Sequence, residues 1–175
     1  MHTIEPLTRP VSERDLETLT ELLIDAVDSG AAVSFLAPLS RERSLDWWRQ
    51  AVGKLSDDPT SPTILVARNA GGVIVGSVQL HPAWAPNQPH RGDVGKLLVH
   101  RNARGAGLGR LLMQRVEAVA RERGLTLLTL DCKRGGVAEH LYRSLDWTHS
   151  GSIPNYALDP DGKAFHATEV FYKAM

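Results

Sequence analysis

The sequence predicts an α/β fold, a mixed sheet of about seven strands flanked by about four helices. Three observations lead there. Segments of helical and strand-like hydrophobic period follow one another in the order β-α-α-β-β-β-α-β-α-β-β. The run from Asp93 to Cys132 reads strand, helix, strand, which gives a parallel pair joined by a right-handed crossover. The chain has 175 residues, 42% of them hydrophobic, with no repeat and no low-complexity linker, so residues 1–175 read as a single domain with a full core.

Ile4 to Val11 reads as a short strand or extended arm. Ser12 is placed as an N-cap, with Asp15 as a capping-box partner, ahead of Leu16, Leu19, Leu22, Leu23 and Val27 at helical spacing; this helix ends near Ser29-Gly30. Ser40 caps a second helix through Trp47, Trp48, Ala51, Val52 and Leu55, with one tryptophan in the core and one at the surface. Thr63–Arg68 and Val73–His81 are strands around the turn Asn69-Ala70-Gly71-Gly72. A proline-bearing loop (Pro82, Pro86, Pro89) leads to a strand over Asp93–His100. Leu108, Leu111, Leu112, Val116 and Val119 form one helical face. Leu125–Cys132 is apolar enough for a strand buried on both faces. Gly135-Gly136 precedes a short helix through Leu145, and two strands, Thr148–Tyr156 and Thr168–Lys173, flank the turn Asp159-Pro160-Asp161-Gly162.

Lysine plus arginine and aspartate plus glutamate each total 20, so the formal net charge is zero and no long-range field for nucleic acid is expected. The single cysteine, Cys132, cannot form an internal disulfide, which suits a reducing compartment. Met1 to Pro6 lacks the basic and apolar regions of a signal peptide, and no apolar run approaches the roughly 20 residues of a membrane span. These features predict a soluble cytoplasmic protein without nucleic-acid or membrane partners. The seven histidines show no metal-binding spacing, so no metal is expected.

The most informative segment is Lys96 to Gly109, where a strand feeds the loop Arg104-Gly105-Ala106-Gly107-Leu108-Gly109 and the loop opens a helix. Glycine admits close backbone approach, and the unpaired N–H groups and positive dipole end of a helix N-terminus hold phosphate oxygens. Arg101, Arg104 and Arg110 add charge. A P-loop fits poorly because Arg110-Leu111, not Lys-Ser/Thr, follows Gly109; the dinucleotide fingerprint fits poorly because Arg110 stands where its third glycine belongs.

Arg104-x-x-Gly107-x-Gly109, after a strand ending Leu97-Leu98-Val99, resembles the acyl-CoA loop of the GNAT N-acetyltransferases. The resemblance covers nearly the whole chain in element order and is closest to the tabtoxin-resistance acetyltransferases. The shared features are Gly30-Ala31-Ala32-Val33-Ser34-Phe35, the glycine loop, Leu130-Asp131, Val137-Ala138-Glu139 with Tyr142, Ile153-Pro154-Asn155-Tyr156 and Phe171-Tyr172-Lys173. One departure is Leu145-Asp146-Trp147, where the family has glycine after the short helix; aspartate tolerates the left-handed conformation and can still stop the helix.

The resemblance implies a mostly antiparallel sheet with its parallel pair at the acyl-CoA site, acetyl-CoA as cosubstrate, and direct attack by an amine without a covalent enzyme intermediate. It implies cofactor contacts from Leu97, Leu98, Val99, Arg104, Gly105, Ala106, Gly107, Leu108, Gly109, Arg110 and Tyr142. A backbone N–H of the Leu98-Val99 strand would polarise the acetyl carbonyl. Tyr142 is the implied general acid toward the coenzyme sulfur. Asp131, at the end of an apolar strand, reads either as a turn cap or as the group that receives the substrate ammonium; a desolvated carboxylate there would be a stronger base. Asp93 is a second candidate base and His81 a third. Cys132 reads as a small strand-end residue. The acceptor wall is expected from Ser34, Phe35, Trp84, Asp131 and Tyr156. Three functions stand: acetylation of a small-molecule amine, including detoxification of an amino acid-like lactam toxin or antibiotic; acetylation of a protein or peptide; and non-catalytic acyl-CoA binding, which Tyr142 and Asp131 together disfavour. The chain is expected as a monomer or homodimer.

Overall fold

The computed structural model describes residues 2–175. The strands are β1 (Thr3–Pro6), β2 (Thr63–Arg68), β3 (Ile74–Pro82), β4 (Arg91–Val99), β5 (Leu127–Lys133), β6 (Thr148–Leu158) and β7 (Phe165–Ala174). The helices are α1 (Glu13–Asp28), α2 (Arg41–Gly53), α3 (Leu108–Glu122) and α4 (Val137–Arg143), with a 3-10 turn over Arg101–Ala103. The strands form one sheet in the order β1-β2-β3-β4-β5-β7-β6. Every neighbouring pair is antiparallel except β4 with β5.

The period-2 pattern of β2 explains the layering. Ile64 and Val66 point to one face, where they pack with α1 and α2 around the fully buried Trp48. Leu65 and Ala67 point to the other, where they meet Leu112, Met113 and Val116 of α3 and, across the core, Tyr142 of α4. Each such buried aliphatic side chain contributes about 1.5–3 kcal/mol. Of the two tryptophans, Trp48 has no exposure, as expected for the core member, while Trp47 is half-buried against the same cluster instead of lying at the surface.

The caps act as read, with one change. Ser12 Oγ accepts from the Asp15 N–H at 3.1 Å and Ser40 Oγ from the Arg43 N–H at 3.2 Å. The Asp15 carboxylate does not complete a capping box; it takes both Arg68 terminal nitrogens, at 2.6 and 3.1 Å. That pair holds α1 to β2, and the Arg68 contacts bring the Asp15 pKa below the usual carboxylate range against the opposing effect of burial. The β2–β3 turn is locked by Asn69 Oδ1, which accepts from Gly71 and Val73. The expected first strand is shorter than read, stopping at Pro6. β5 is not buried on both faces: Leu128 and Leu130 are buried, while Leu127 and Thr129 are half-covered. No helix among the described residues is long and apolar enough to cross a membrane.

The departure at the end of α4 is resolved by geometry. Asp146 has φ +60°. The Trp147 N–H bonds the Tyr142 carbonyl at 3.1 Å and the Asp146 N–H bonds the Arg143 carbonyl at 3.3 Å, the paired bonds of a Schellman stop. This stop seats Trp147, whose Nε1 donates to the buried Glu117 carboxylate at 2.9 Å. Asp146→Gly removes a left-handed penalty and is expected to raise unfolding free energy by about 0.5–1 kcal/mol, measured by urea denaturation.

Candidate active site

The site begins where the sheet divides. β4 and β5 pair only through Arg91↔Leu127, Gly92↔Leu128 and Asp93↔Thr129. β4 continues to Val99 and β5 to Lys133, so beyond Asp93 the backbone groups of β4 that face β5 have no strand partner. Buried peptide groups in that state call for a ligand or water. A cleft of about 640 Å³ occupies the divergence, walled by Leu97–Val99, the glycine loop, Asp131–Lys133 and α4.

β4 carries a second irregularity. Ser77 pairs with Leu98 and Gln79 with Gly95, so Lys96 and Leu97 together oppose the single residue Val78. This is a β-bulge, and Lys96 takes it up with φ +51°. Such a conformation is strained for a lysine and characteristic of functional sites.

The glycine loop forms the opposite end of the cleft. Gly105 and Gly107 have φ +80° and +73°, which a residue with a Cβ adopts only at a cost. Gly107 is the N-cap of α3, and no side chain caps that helix. Its first-turn N–H groups are therefore free for an anion. Arg104 and Arg110 line the cleft beside them. Of the residues read as the cofactor loop, Ala106 is outside the lining, and the others, Arg104, Gly105, Gly107, Leu108, Gly109 and Arg110, are within it.

Asp25, which pattern reading missed, holds this loop in place. Burial favours its neutral form, but the Arg101 backbone N–H at 2.9 Å and the Arg101 guanidinium bring its pKa below the usual carboxylate range. Arg104 adds a contact at 3.7 Å. The residues are 76 positions apart, so no local spacing could have revealed the pair.

Tyr142 is 6% exposed, wedged at ring distances of 6.1 Å from both Trp147 and Phe171, and lines the cleft. Burial, then the neighbouring Cys132 and Asp131, push its pKa well above that of a free tyrosine. Cys132 is raised to about 12, chiefly by burial and then by nearby carboxylates. Asp131 lines the cleft at the end of β5, and Thr168 Oγ1 lies 2.8 Å from its Oδ2 and 3.0 Å from the Cys132 carbonyl, so one hydroxyl proton serves one or the other. Asp131 is exposed, not desolvated as a strong base would require.

The other expected residues are placed elsewhere. Asp93 lies at the closed end of the divergence, bonded to Arg91 and Thr129, outside the cleft lining. His81 is exposed and shares a hydrogen bond of 3.0 Å with Gln79. Of the expected acceptor wall, Ser34 and Asp131 line the cleft. Phe35 turns to Trp47 at 5.9 Å in an edge contact. Trp84 is 92% exposed in its loop and Tyr156 54% exposed on β6, and neither borders the cleft. Conversely, Lys96 borders it and was read only as the start of the motif strand.

Asp25→Ala should destabilise the chain by about 1.5–3 kcal/mol, the scale of hydrogen bonds to a charged group, read from urea unfolding at neutral pH. Because the native carboxyl pKa lies below its unfolded value, this contribution is full above the unfolded pKa near 3.9 and is lost as pH falls through the native one. The gap between wild type and variant should therefore shrink in acid.

Comparison with known proteins agrees with this geometry. Residues 21–147 match the family described as "Acetyltransferase (GNAT) family". The chain is 32% identical over 121 residues, 68% of each chain, to an uncharacterized N-acetyltransferase in the hisH-hisA intergenic region of Azospirillum brasilense. Its fold is similar to that of a GCN5-related N-acetyltransferase from Kribbella flavida, with TM-score 0.80, 20% identity and coverage of 99% and 98% of the two chains. It is also similar to a Salmonella typhimurium protein solved with its cofactor acetyl-CoA, with TM-score 0.77, 19% identity and coverage of 99% and 94%. The chain belongs to the GNAT acetyltransferase family.

Proposed function

We propose that the protein transfers an acetyl group from acetyl-CoA to a primary amine of a small molecule. The observation that carries this is the joining, in one cleft, of an unpaired β4 edge, an uncapped glycine-loop helix and a buried tyrosine. The fit to the cofactor is chemical: a pyrophosphate matches the free N–H groups of α3 with Arg104 and Arg110, and an amide-bearing arm matches the open edge at Leu97–Val99. When bound, the thioester supplies the activated acyl group.

The residues divide the remaining work. A β4 N–H near Leu98-Val99 stabilises negative charge as it grows on the carbonyl oxygen. The amine nitrogen forms the new C–N bond while the C–S bond breaks. Tyr142 keeps its proton far above neutral pH and gives it to sulfur as thiolate charge develops. Asp131, at the water-accessible end, holds the acceptor ammonium and passes its proton to solvent. Because Asp93 is occupied by Arg91 and Thr129, it is the weaker of the two carboxylates for this task. Detoxification of an amino acid-like toxin, as in the tabtoxin-resistance proteins, is the physiological role we assign on resemblance.

Gly107→Glu tests cofactor placement. Its Cβ meets nothing within 4 Å, so the fold is retained apart from a left-handed penalty of about 1–2 kcal/mol. Calorimetry should show acetyl-CoA binding lost; unchanged affinity in a folded variant would move the cofactor elsewhere. Tyr142→Phe should lower kcat about 10²–10⁴-fold in a thiol-release assay over an amine library, with acetyl-CoA affinity within a few fold. Wild-type kcat on an acceptor whose chemistry is slow would return the proton to solvent.

A further inference from the structure

The charged groups of the cleft are unevenly partnered. Lys133 is held by Asp159, Arg104 contacts Asp25 and the Val99 carbonyl, and Arg110 reaches Ser144. Lys96 has no carboxylate within salt-bridge distance among the described residues, and Asp131 has no cation. Both border the same cleft. The bulge that displaces Lys96 from the ordinary strand path fixes where its side chain starts. Its Nζ lies 5.6 Å from the Trp47 ring centre and 3.3 Å from Ser34 Oγ, which itself sits at φ +76°. Ser34 accepts from the ammonium there, so its own hydroxyl proton remains available to an anion. Burial lowers the Lys96 pKa, and the field of Asp131 opposes that shift, so the Asp131 charge reaches Lys96 without contact.

A half-buried ammonium and an exposed carboxylate, kept apart in one cleft and each without an oppositely charged partner among the described residues, define the complement of a zwitterion. We infer that Lys96 and Ser34 form a carboxylate-binding subsite that selects acceptors bearing an acid group close to the amine that Asp131 receives. The inference rests on the acetyltransferase reading above and narrows its acceptor to amino acids in the chemical sense. Lys96 is here a specificity residue: its ammonium and the Ser34 hydroxyl bind the acid group in both ground and transition states, so its removal acts through KM. The Trp47 face supports the ammonium when no acceptor is present.

The test uses α-, β- and γ-amino acids, each paired with its carboxamide, in a thiol-release assay with acetyl-CoA. Wild type should favour the acid member. In Lys96→Met, which keeps the stem and removes the charge, the acid-to-amide ratio of kcat/KM should fall about 10–100-fold, carried by KM, while Lys96→Arg retains part of the preference. An unchanged ratio overturns the subsite. An equal fall in kcat for both members also overturns it and makes Lys96 a proton-transfer group. If acetyl-CoA binds and no amine in the set is consumed, the small-molecule reading fails. The subsite is then tested alone by calorimetry with CoA present, comparing N-acetyl amino acids with their carboxamides. Acid-selective binding that Lys96→Met abolishes supports it; its absence in wild type overturns it.

Discussion

The structure turns on the parting of β4 and β5 after three residue pairs. A continuous ladder would satisfy every peptide group and leave no room for a substrate. Parting leaves polar backbone facing a cavity, which a fold tolerates only where water or a ligand completes the bonds. The closed end is clamped tightly. A Cβ on Gly92 would stand 3.0 Å from the terminal side-chain carbons of both Leu125 and Leu80, so these leucines pack closely over the glycine at the closed end. The open end is held by other means: β5 is taken up by seven pairings with β7, and β4 is drawn to β3 through its bulge. The two strands are thus each committed to a different neighbour, and the cleft follows from that commitment.

The loop at the open end depends on a buried charge. Asp25 is 8% exposed and belongs to α1, on one face of the sheet; the 3-10 turn it grips leads into α3, on the other. One carboxylate therefore couples the two layers across the sheet and sets the entry angle of the helix whose N-terminus faces the cleft. Burial of the carboxylate opposes its charge, and the Arg101 contacts more than offset that, so the pair both positions the loop and favours the folded chain.

Local chemistry was legible where local chemistry decides. Ser12, Ser40, Asn69 and Asp146 each act within a few residues of themselves, and each is found in the role its neighbours imply. The glycine loop was legible because strand, loop and helix are contiguous. What could not be read is non-local. The bulge at Lys96 interrupts a segment whose alternation looks regular, and the register that reveals it lies in β3. Asp25 answers an arginine 76 residues away. Of the expected acceptor wall, the polar Ser34 and Asp131 border the cleft, while the aromatic Trp84 and Tyr156 stand in solvent; Lys96, outside that expectation, borders the cleft as well. Tyr142 and Asp131 were placed in the cleft by resemblance, and neither could have been chosen on periodicity alone.

Protonation divides the cleft into groups that keep protons and groups that carry charge. Burial raises the Tyr142 hydroxyl and brings the Cys132 thiol to about 12, so both remain protonated through the neutral range. A thiol in that state is a poor nucleophile, since the thiolate is the reactive form. A covalent route through Cys132 would also require its thiolate to form among Asp131, Glu139 and Glu169, whose charges oppose it. The same apolar surroundings suit Tyr142 to giving up a proton only when negative charge develops beside it. Asp131, on the same strand, is exposed to solvent. One wall thus separates a dry, proton-retaining region from a wet, charged one, and the direct transfer we propose needs that separation more than it needs a nucleophile on the enzyme.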